Sequence, residues 1–379
     1  MELLNATKMK AGYTMGMKPD GRELLVVVVK GTFKIPRPGQ EPELADQQAD
    51  LVMSDEFTGE PGLSAPRYES DFAPAKPRCD ILFNGSAYAP DGEQVKRIKV
   101  GLRVGNMEKT FSVVGNRFWR RWLGFTWRTS PVPFAKMPIS YDNAFGGVDK
   151  THPNPKKHRF CLPNPAGVGF HSNLKRKDLN RKPLPNTEQT GQPVRWPRSK
   201  YRPMALGPIG RGWQPRPKFA GTYDQKWIDN VFPFLPADFD ERYYQSAPAD
   251  QQTEYLRGGE EVSLLNLVRE GRTAFKLPKI QVPITFYSKS YEQKESTPLC
   301  DTLVVEPDLN RFIMLWRATL PLKKSMFEIA QIIVGHMSRA FYRARASGKI
   351  WYPSLKELVE EGRAEDGGHG QEEQLKEVL

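Results

Sequence analysis

The first third of the chain alternates between apolar and polar positions as antiparallel β-strands do. Residues 97–104 read RIKVGLRV, in which every second residue is apolar. A period of two gives a strand one buried face and one solvated face. The dipeptides Asp20-Gly21, Asp91-Gly92 and Gly105-Asn106 separate such stretches and are typical of hairpin turns. We therefore predict consecutive β-hairpins in this region.

Strand patterns return in the last third of the chain. They cover residues 261–267, 273–287, 302–305 and 311–319. In the last of these, Phe312, Met314 and Trp316 fall on one face. The predicted fold class is mainly β (a β-rich α+β protein), with antiparallel sheets, long ordered loops and a C-terminal amphipathic helix.

The helix is predicted at residues 325–346. Ser325 and Glu328 have the spacing of a capping box, in which each side chain satisfies a free backbone N–H of the other residue. The apolar residues that follow recur at helical spacing and form one stripe. That stripe comprises Met326, Ile329, Ala330, Ile333, Met337, Ala340, Phe341 and Ala344. Residues 364–379 are acidic and predicted to be a disordered tail.

Positive charge is concentrated in one proline-rich segment at residues 150–218. It holds sixteen Lys and Arg against two acids, whereas the whole chain carries a net charge of +12. Twelve of the thirty-three prolines also lie there. The segment is too long and too proline-rich for an ordinary loop, so we predict either a functional arm or partial disorder.

Composition indicates a globular protein of the cytoplasm. The chain has 379 residues, 39% of them hydrophobic, and its longest aliphatic run, residues 24–29, is far shorter than a membrane span. The N-terminus shows no signal-peptide pattern. The three cysteines are odd in number and widely spaced, which favours reduced thiols. We expect a single β-rich unit at residues 1–363 and no insertion into a membrane.

Catalytic and metal-binding chemistry finds little support in the residue patterns. His152, His158, Cys161 and His171 suit zinc by type, but their spacing matches no compact ligand pair. Asp238, Asp240 and Glu241 could serve acid–base hydrolysis, yet no partner acid elsewhere is singled out. Nucleophile elbows, zinc-protease signatures and phosphate loops do not occur in the sequence. We predict no enzyme activity, no metal and no cofactor.

The segment from 207 to 267 combines aromatics, prolines, glycines and paired charges without regular periodicity. Trp, Tyr and Arg are the residues most often found at the energetic centres of interfaces. The candidate partner-binding residues are Trp213, Arg216, Tyr223, Trp227, Tyr255, Arg257 and Glu260. The alternative is that these side chains form a buried polar network that holds an irregular domain together.

Six stretches carry a family resemblance. They are residues 24–36 (LLVVVVKGTFKIP), 67–90 (RYESDFAPAKPRCDILFNGSAYAP), 138–149 (PISYDNAFGGVD), 207–227 (GPIGRGWQPRPKFAGTYDQKW), 235–267 (LPADFDERYYQSAPADQQTEYLRGGEEVSLLNL) and 300–321 (CDTLVVEPDLNRFIMLWRATLP). In these motifs the chain resembles the bacterial type VI secretion effector adaptors and chaperones, a family formerly catalogued as a domain of unknown function.

The resemblance implies a cytoplasmic adaptor that binds and stabilises a toxic effector protein and helps load it onto the VgrG or PAAR spike. Two other functions stay open from the residues. One is nucleic-acid binding by the basic arm, where Trp196, Tyr201 and Trp213 interleave with Lys and Arg, although no recognised nucleic-acid module appears. The other is a hydrolase without a recognised motif.

Overall fold

The computed structural model describes residues 1–123, 125–172, 176–290 and 292–349. β-Strands are its main regular structure, and only two α-helices occur among the described residues, which confirms the predicted fold class. A compact first unit spans Met1–Val334, and a second begins at Gly335. The single unit predicted at residues 1–363 stays a prediction, because residues 350–363 lie outside the described residues, as does the tail predicted at 364–379.

The elements are numbered in chain order. The strands are β1 (Glu2–Asn5), β2 (Lys10–Met17), β3 (Glu23–Lys34), β4 (Glu56–Phe57), β5 (Pro66–Tyr68), β6 (Cys79–Phe83), β7 (Gly85–Tyr88), β8 (Arg97–Val104), β9 (Met107–Val114), β10 (Trp119–Trp122), β11 (Phe125–Arg128), β12 (Lys136–Ile139), β13 (Phe145–Gly146), β14 (Val148–Asp149), β15 (Arg159–Phe160), β16 (Val168–Gly169), β17 (Thr187–Glu188), β18 (Gln252–Thr253), β19 (Glu261–Leu265), β20 (Arg272–Lys276), β21 (Ile284–Ser288), β22 (Gln293–Ser296), β23 (Cys300–Glu306), β24 (Arg311–Pro321) and β25 (Ile329–Val334). The α-helices are α1 (Gln225–Asn230) and α2 (Arg339–Ala346), and short 3₁₀ turns connect several strands.

A six-stranded sheet with the order β18-β6-β23-β24-β3-β2 forms the centre of the first unit. Its strand β3 is buried on both faces, because alternate residues enter two different clusters. Leu25, Val27 and Val29 join the main core, whereas Val26 and Val28 pack on the opposite face. A strand buried on both sides reads as a continuous apolar run, which explains the aliphatic stretch at residues 24–29.

A five-stranded sheet, β17-β9-β8-β19-β20, contributes to the same main core. On β8, Ile98, Val100 and Leu102 are buried while Arg97 and Lys99 are exposed, as the period of two predicted. The hairpins predicted at residues 20–21 and 105–106 are present. The one predicted at residues 91–92 is wrong, because β7 pairs with β12 instead of β8.

The helix predicted at 325–346 is wrong over its first half. After a 3₁₀ turn at Met326–Glu328, strand β25 pairs in parallel with β1 and antiparallel with β21. Its run of β-branched residues suits a strand, and two neighbouring strands satisfy its backbone. The Glu328 carboxylate accepts the N–H groups of Lys323 and Lys324, so Ser325 takes no part in a capping box. Helix α2 begins only after Ser338, whose hydroxyl caps it.

The basic segment at residues 150–218 is not a detached arm where it is described. Leu179, Leu184 and Val194 pack with Trp119 in a separate apolar cluster. Glu188 is buried and pairs with Arg117 at 2.9 Å, which ties the segment to β9 and its neighbours. No described helix is long and apolar enough to cross a membrane.

Candidate protein-binding surface

A buried arginine fixes the irregular segment in which most candidate residues lie. The Arg216 guanidinium donates to the carbonyls of Ile209 at 2.8 Å and Tyr243 at 2.7 Å and pairs with Glu69 at 2.6 Å. Only 2% of Arg216 is exposed. A guanidinium can make several directed bonds at once, so this one side chain holds both ends of the segment 209–243 against the sheet.

A second arginine reinforces that anchor from the solvent side. Arg211 pairs with Asp55 at 2.9 Å and with Glu69 at 3.0 Å, so the Glu69 carboxylate serves two guanidinium groups. Burial tends to raise the pKa of Asp55, but the Arg211 hydrogen bond and the Ser70 N–H outweigh it and hold that pKa below its usual range. Asp55 therefore stays charged at neutral pH.

From this base a closed loop extends over residues 221–238. Thr222 donates its N–H and hydroxyl to the two carboxylate oxygens of Asp238, at 2.9 and 2.7 Å, and closes the loop at its neck. Gly221 occupies the neck with φ +85°, where a Cβ would lie 2.8 Å from Pro236. Asp224 caps helix α1 through the Trp227 N–H at 2.9 Å.

The loop presents large apolar side chains to solvent. We call Tyr223, Ile228, Phe232 and Phe234 the aromatic surface; they are 53%, 54%, 66% and 44% exposed, respectively. Half-buried Trp227 supports them, because its ring meets Tyr223 edge-on at 4.7 Å and Phe232 at 5.6 Å. Clustered exposed apolar side chains on a folded protein mark interaction sites.

One hydrogen bond and one packing contact keep this cluster in place. The Trp227 indole N–H donates to the Phe234 carbonyl at 3.0 Å, so the two sides of the loop are joined under the aromatic surface. The Phe234 ring lies against Gly21 in the β2–β3 turn, where a Cβ would approach it to 3.0 Å. The aromatic surface is therefore held against the central sheet before any partner arrives.

Two of the candidate residues belong to the scaffold. Trp213 is 9% exposed and packs edge-on against Tyr141 at 5.7 Å within the main core. Arg216 is the buried anchor described above. For both, the polar and apolar surfaces are already occupied, which favours the buried-network alternative for these two residues.

The remaining candidates divide between two places. Tyr223 and Trp227 belong to the loop with the aromatic surface. Tyr255 donates its hydroxyl to the Lys76 carbonyl, and its pKa is raised by burial. Glu260 accepts the N–H groups of Arg257 at 2.8 Å and Gly258 at 2.9 Å, which closes a glycine turn. Among the described residues, no recorded contact joins these side chains to the aromatic surface.

Sequence reasoning missed three of the four residues of the aromatic surface. Ile228, Phe232 and Phe234 lie in the sequence WIDNVFPFLP, where an apolar run interrupted by proline could have indicated an exposed turn. It also missed Trp122 and Phe125, which are 69% and 76% exposed on the β10–β11 hairpin. Exposure depends on what packs against a residue, and the local sequence does not contain that information.

The acidic residues considered for hydrolysis and the histidines considered for zinc binding make contacts that stabilise the local structure. Asp238 holds the loop neck, and Asp240 accepts the Arg242 N–H and pairs with its guanidinium. His158 contacts the His152 carbonyl through Nε2 at 3.1 Å. Within the described residues, no group of three or more His, Cys, Asp or Glu could hold a metal ion. The three cysteines are buried and free.

Comparison with known proteins gives one match. Residues 20–317 match a family described as "Uncharacterized protein conserved in bacteria (DUF2169)". No curated protein and no solved structure matches the chain. The match includes the anchor residues Glu69, Arg211 and Arg216 and the whole loop at 221–238.

Proposed function

We propose that this chain, which belongs to the DUF2169 family of conserved bacterial proteins, is a non-catalytic binding protein that docks another protein on its aromatic surface. The observation that supports this proposal is that apolar side chains are exposed while the loop that carries them is held in place. Phe232 is 66% exposed, yet its loop is closed by Asp238 and anchored through Arg216. Side chains that are ordered before binding lose little conformational freedom when a partner covers them.

The energy available from such a surface is sufficient for specific binding. Large aromatic side chains dominate interface energetics, and truncating a central one typically costs about 2 kcal/mol or more. A loss of about 2 kcal/mol corresponds to roughly a thirtyfold change in the dissociation constant. Capture of this kind needs no cofactor and no reacting group.

The family resemblance supplies the finer part of the proposal. We propose that the partner is a toxic effector of the type VI secretion system, that the protein stabilises it in the cytoplasm, and that it helps to load it onto VgrG or PAAR. Glu69 belongs to the resembling motif RYESDF, and Arg211 and Arg216 belong to GPIGRGWQPRPKF. The motif residues thus build the base that holds the aromatic surface, which supports a shared role for that surface.

Co-expression with an effector toxin tests the proposal, and the toxin to choose is one whose gene neighbours the gene of this chain, which we call the neighbouring-gene toxin. We expect soluble toxin to accumulate with the wild-type protein and with Phe125→Ala, but much less with Phe232→Ala. Both substitutions remove a highly exposed phenylalanine, so they are matched in chemistry and differ in place. Equal toxin yield with and without the protein would end the adaptor proposal.

A second candidate function rests on the β10–β11 hairpin. One face of this hairpin is covered through Trp119, whereas Arg120, Trp122, Phe125 and Trp127 share the opposite, exposed face. Aromatic rings beside cations can stack nucleobases and neutralise phosphates. Fluorescence anisotropy with a single-stranded DNA oligonucleotide tests this function, with Phe125→Ala as the disabling variant and Phe232→Ala as its control. Binding that is unaffected by Phe125→Ala would remove this candidate.

A further inference from the structure

Among the described residues, strand β2 at one end of the central sheet has an unpaired main-chain edge. In the turn that joins β2 to β3, the Lys18 N–H donates to the Arg22 carbonyl at 2.9 Å. Because inward and outward residues alternate along an antiparallel pair, the main-chain groups of Ala11, Tyr13 and Met15 point away from β3. In the described part of the chain, no residue forms a hydrogen bond to these groups.

This edge lacks the usual protection against pairing with another chain. Folded proteins guard exposed edges with charge, with proline or with short strands. The outer strands β20 and β22 carry charged residues, and β1, β17 and β18 have four residues or fewer. In β2, by contrast, residues 11–17 are all uncharged, and Lys10 at its start is paired with Asp50 at 2.8 Å.

Both faces beside the edge are apolar. On one face, Gly12 has no room for a side chain, because a Cβ would lie 2.7 Å from Leu51 and 3.2 Å from Phe72. On the other face, Ala11 and Met15 are partly buried against the main core. A strand added at this edge would therefore continue two apolar surfaces that end at β2.

The edge is continuous with the aromatic surface. Strand β2 leads into the turn that contains Gly21, and the Phe234 ring packs on that glycine. A polypeptide seated on Phe232 and Phe234 is thus at the end of β2, from which unpaired N–H and C=O groups extend over residues 11–17. This continuity favours a segment of the docked partner over a second copy of the chain as the occupant of the edge.

We propose that β2 accepts an extended, uncharged and apolar segment of the partner protein as an additional strand of the central sheet. Main-chain hydrogen bonds supply affinity in this mode of recognition, and side chains on alternate residues supply selectivity. The proposal rests on the proposed function, because it concerns the partner that the aromatic surface docks. The proposal specifies how that partner is recognised, namely by addition of a strand to the sheet.

Hydrogen exchange on the complex with the neighbouring-gene toxin tests strand addition without any substitution. In the free protein, the outward amides of Ala11, Tyr13 and Met15 should exchange fast, whereas amides bonded to β3 should be slow. In the complex, the outward amides should become protected. Protection of the aromatic loop without any at β2 would overturn the inference while leaving the docking function in place.

Substitution at Met15 gives an independent test. Met15→Pro removes an outward N–H that β3 does not use, and proline is tolerated on edge strands, so the protein should fold. We expect Met15→Pro to weaken toxin binding about tenfold or more, and Met15→Val, which keeps the N–H, to bind within about twofold of wild type. If a Met15→Pro protein with an unchanged melting temperature binds normally, strand addition is wrong.

Two further outcomes distinguish a failure of strand addition from a failure of the proposed function. Loss of binding in Phe232→Ala with no effect of Met15→Pro supports docking and rejects strand addition. No effect of either substitution rejects the proposed function itself. Light scattering of the free protein tests whether a second copy of the chain occupies the edge. A dimer that dissociates on Met15→Pro substitution would assign the edge to that second copy and overturn the inference.

Discussion

Replacing Arg216 by methionine tests whether a buried ionic anchor positions the aromatic surface. Methionine preserves much of the length and apolar stem of the side chain but removes the charge and all donors. The substitution leaves the carbonyls of Ile209 and Tyr243 without their partner and removes one of the two guanidinium groups on Glu69. Arg211 at 3.0 Å continues to neutralise that carboxylate.

The expected loss of stability follows from these contacts. Breaking a buried ion pair by removing one partner typically costs about 3–5 kcal/mol, and each unsatisfied buried acceptor adds about 1–3 kcal/mol. Retention of the Arg211–Glu69 pair reduces the first contribution, so we expect a total of about 4 kcal/mol. At about 2.1 cal/mol/K per residue of unfolding entropy, this lowers the melting temperature of a unit of this size by roughly 6 °C.

Calorimetry and hydrogen exchange measure the two consequences together. We expect the lowered melting temperature to be accompanied by faster amide exchange in residues 209–243, because their anchor is lost. Arg242→Met is the matched control: Arg242 is an exposed arginine paired with Asp240, and its removal should leave both readouts unchanged. A change of melting temperature below about 1 °C in Arg216→Met would refute the anchoring argument.

Two further predictions concern the rings of Trp213, which is buried, and His171, which is partly buried. Trp213→Ala should destabilise the fold by about 3–5 kcal/mol in chemical denaturation, because a large core side chain is lost. The folded fraction of this variant should bind the partner normally. A stable variant with weakened binding would instead assign Trp213 to the interface. Burial lowers the pKa of His171 below 6.5, with Asp149 opposing and Lys182 reinforcing the shift. Below pH 6.5 the folded state therefore binds fewer protons than the unfolded state, and stability falls as the pH falls. His171→Phe should lose less stability than wild type between about pH 7 and pH 5 in denaturant titrations, and equal losses would contradict this.

Local periodicity was enough to predict several strands and two of the hairpins. The alternation at residues 97–104 specifies a strand whose burial matches the structure. The same reasoning failed at residues 329–334, where apolar residues fit both a helical stripe and a buried strand. Pairing with β1 and β21 makes this segment a strand and not a helix. Both strands come from distant parts of the chain, so a local pattern does not contain them.

The candidate site was predictable only as a region. The unusual composition of residues 207–267 located the irregular segment correctly, but it did not divide anchors from contacts. Arg216 and Trp213 look like interface residues by type, yet Glu69 and Tyr141, far away in sequence, bury them. Phe232 is exposed because the Thr222–Asp238 closure turns its loop outward, which depends on tertiary geometry.

The affinity of the Phe232→Ala variant for the neighbouring-gene toxin tests the central claim most directly. Isothermal titration calorimetry on purified proteins should show a dissociation constant raised at least about thirtyfold, with a melting temperature within about 2 °C of wild type. Phe125→Ala, measured in the same way, should bind as wild type does. An unchanged dissociation constant in folded Phe232→Ala would contradict the assignment of the aromatic surface as the protein-binding site.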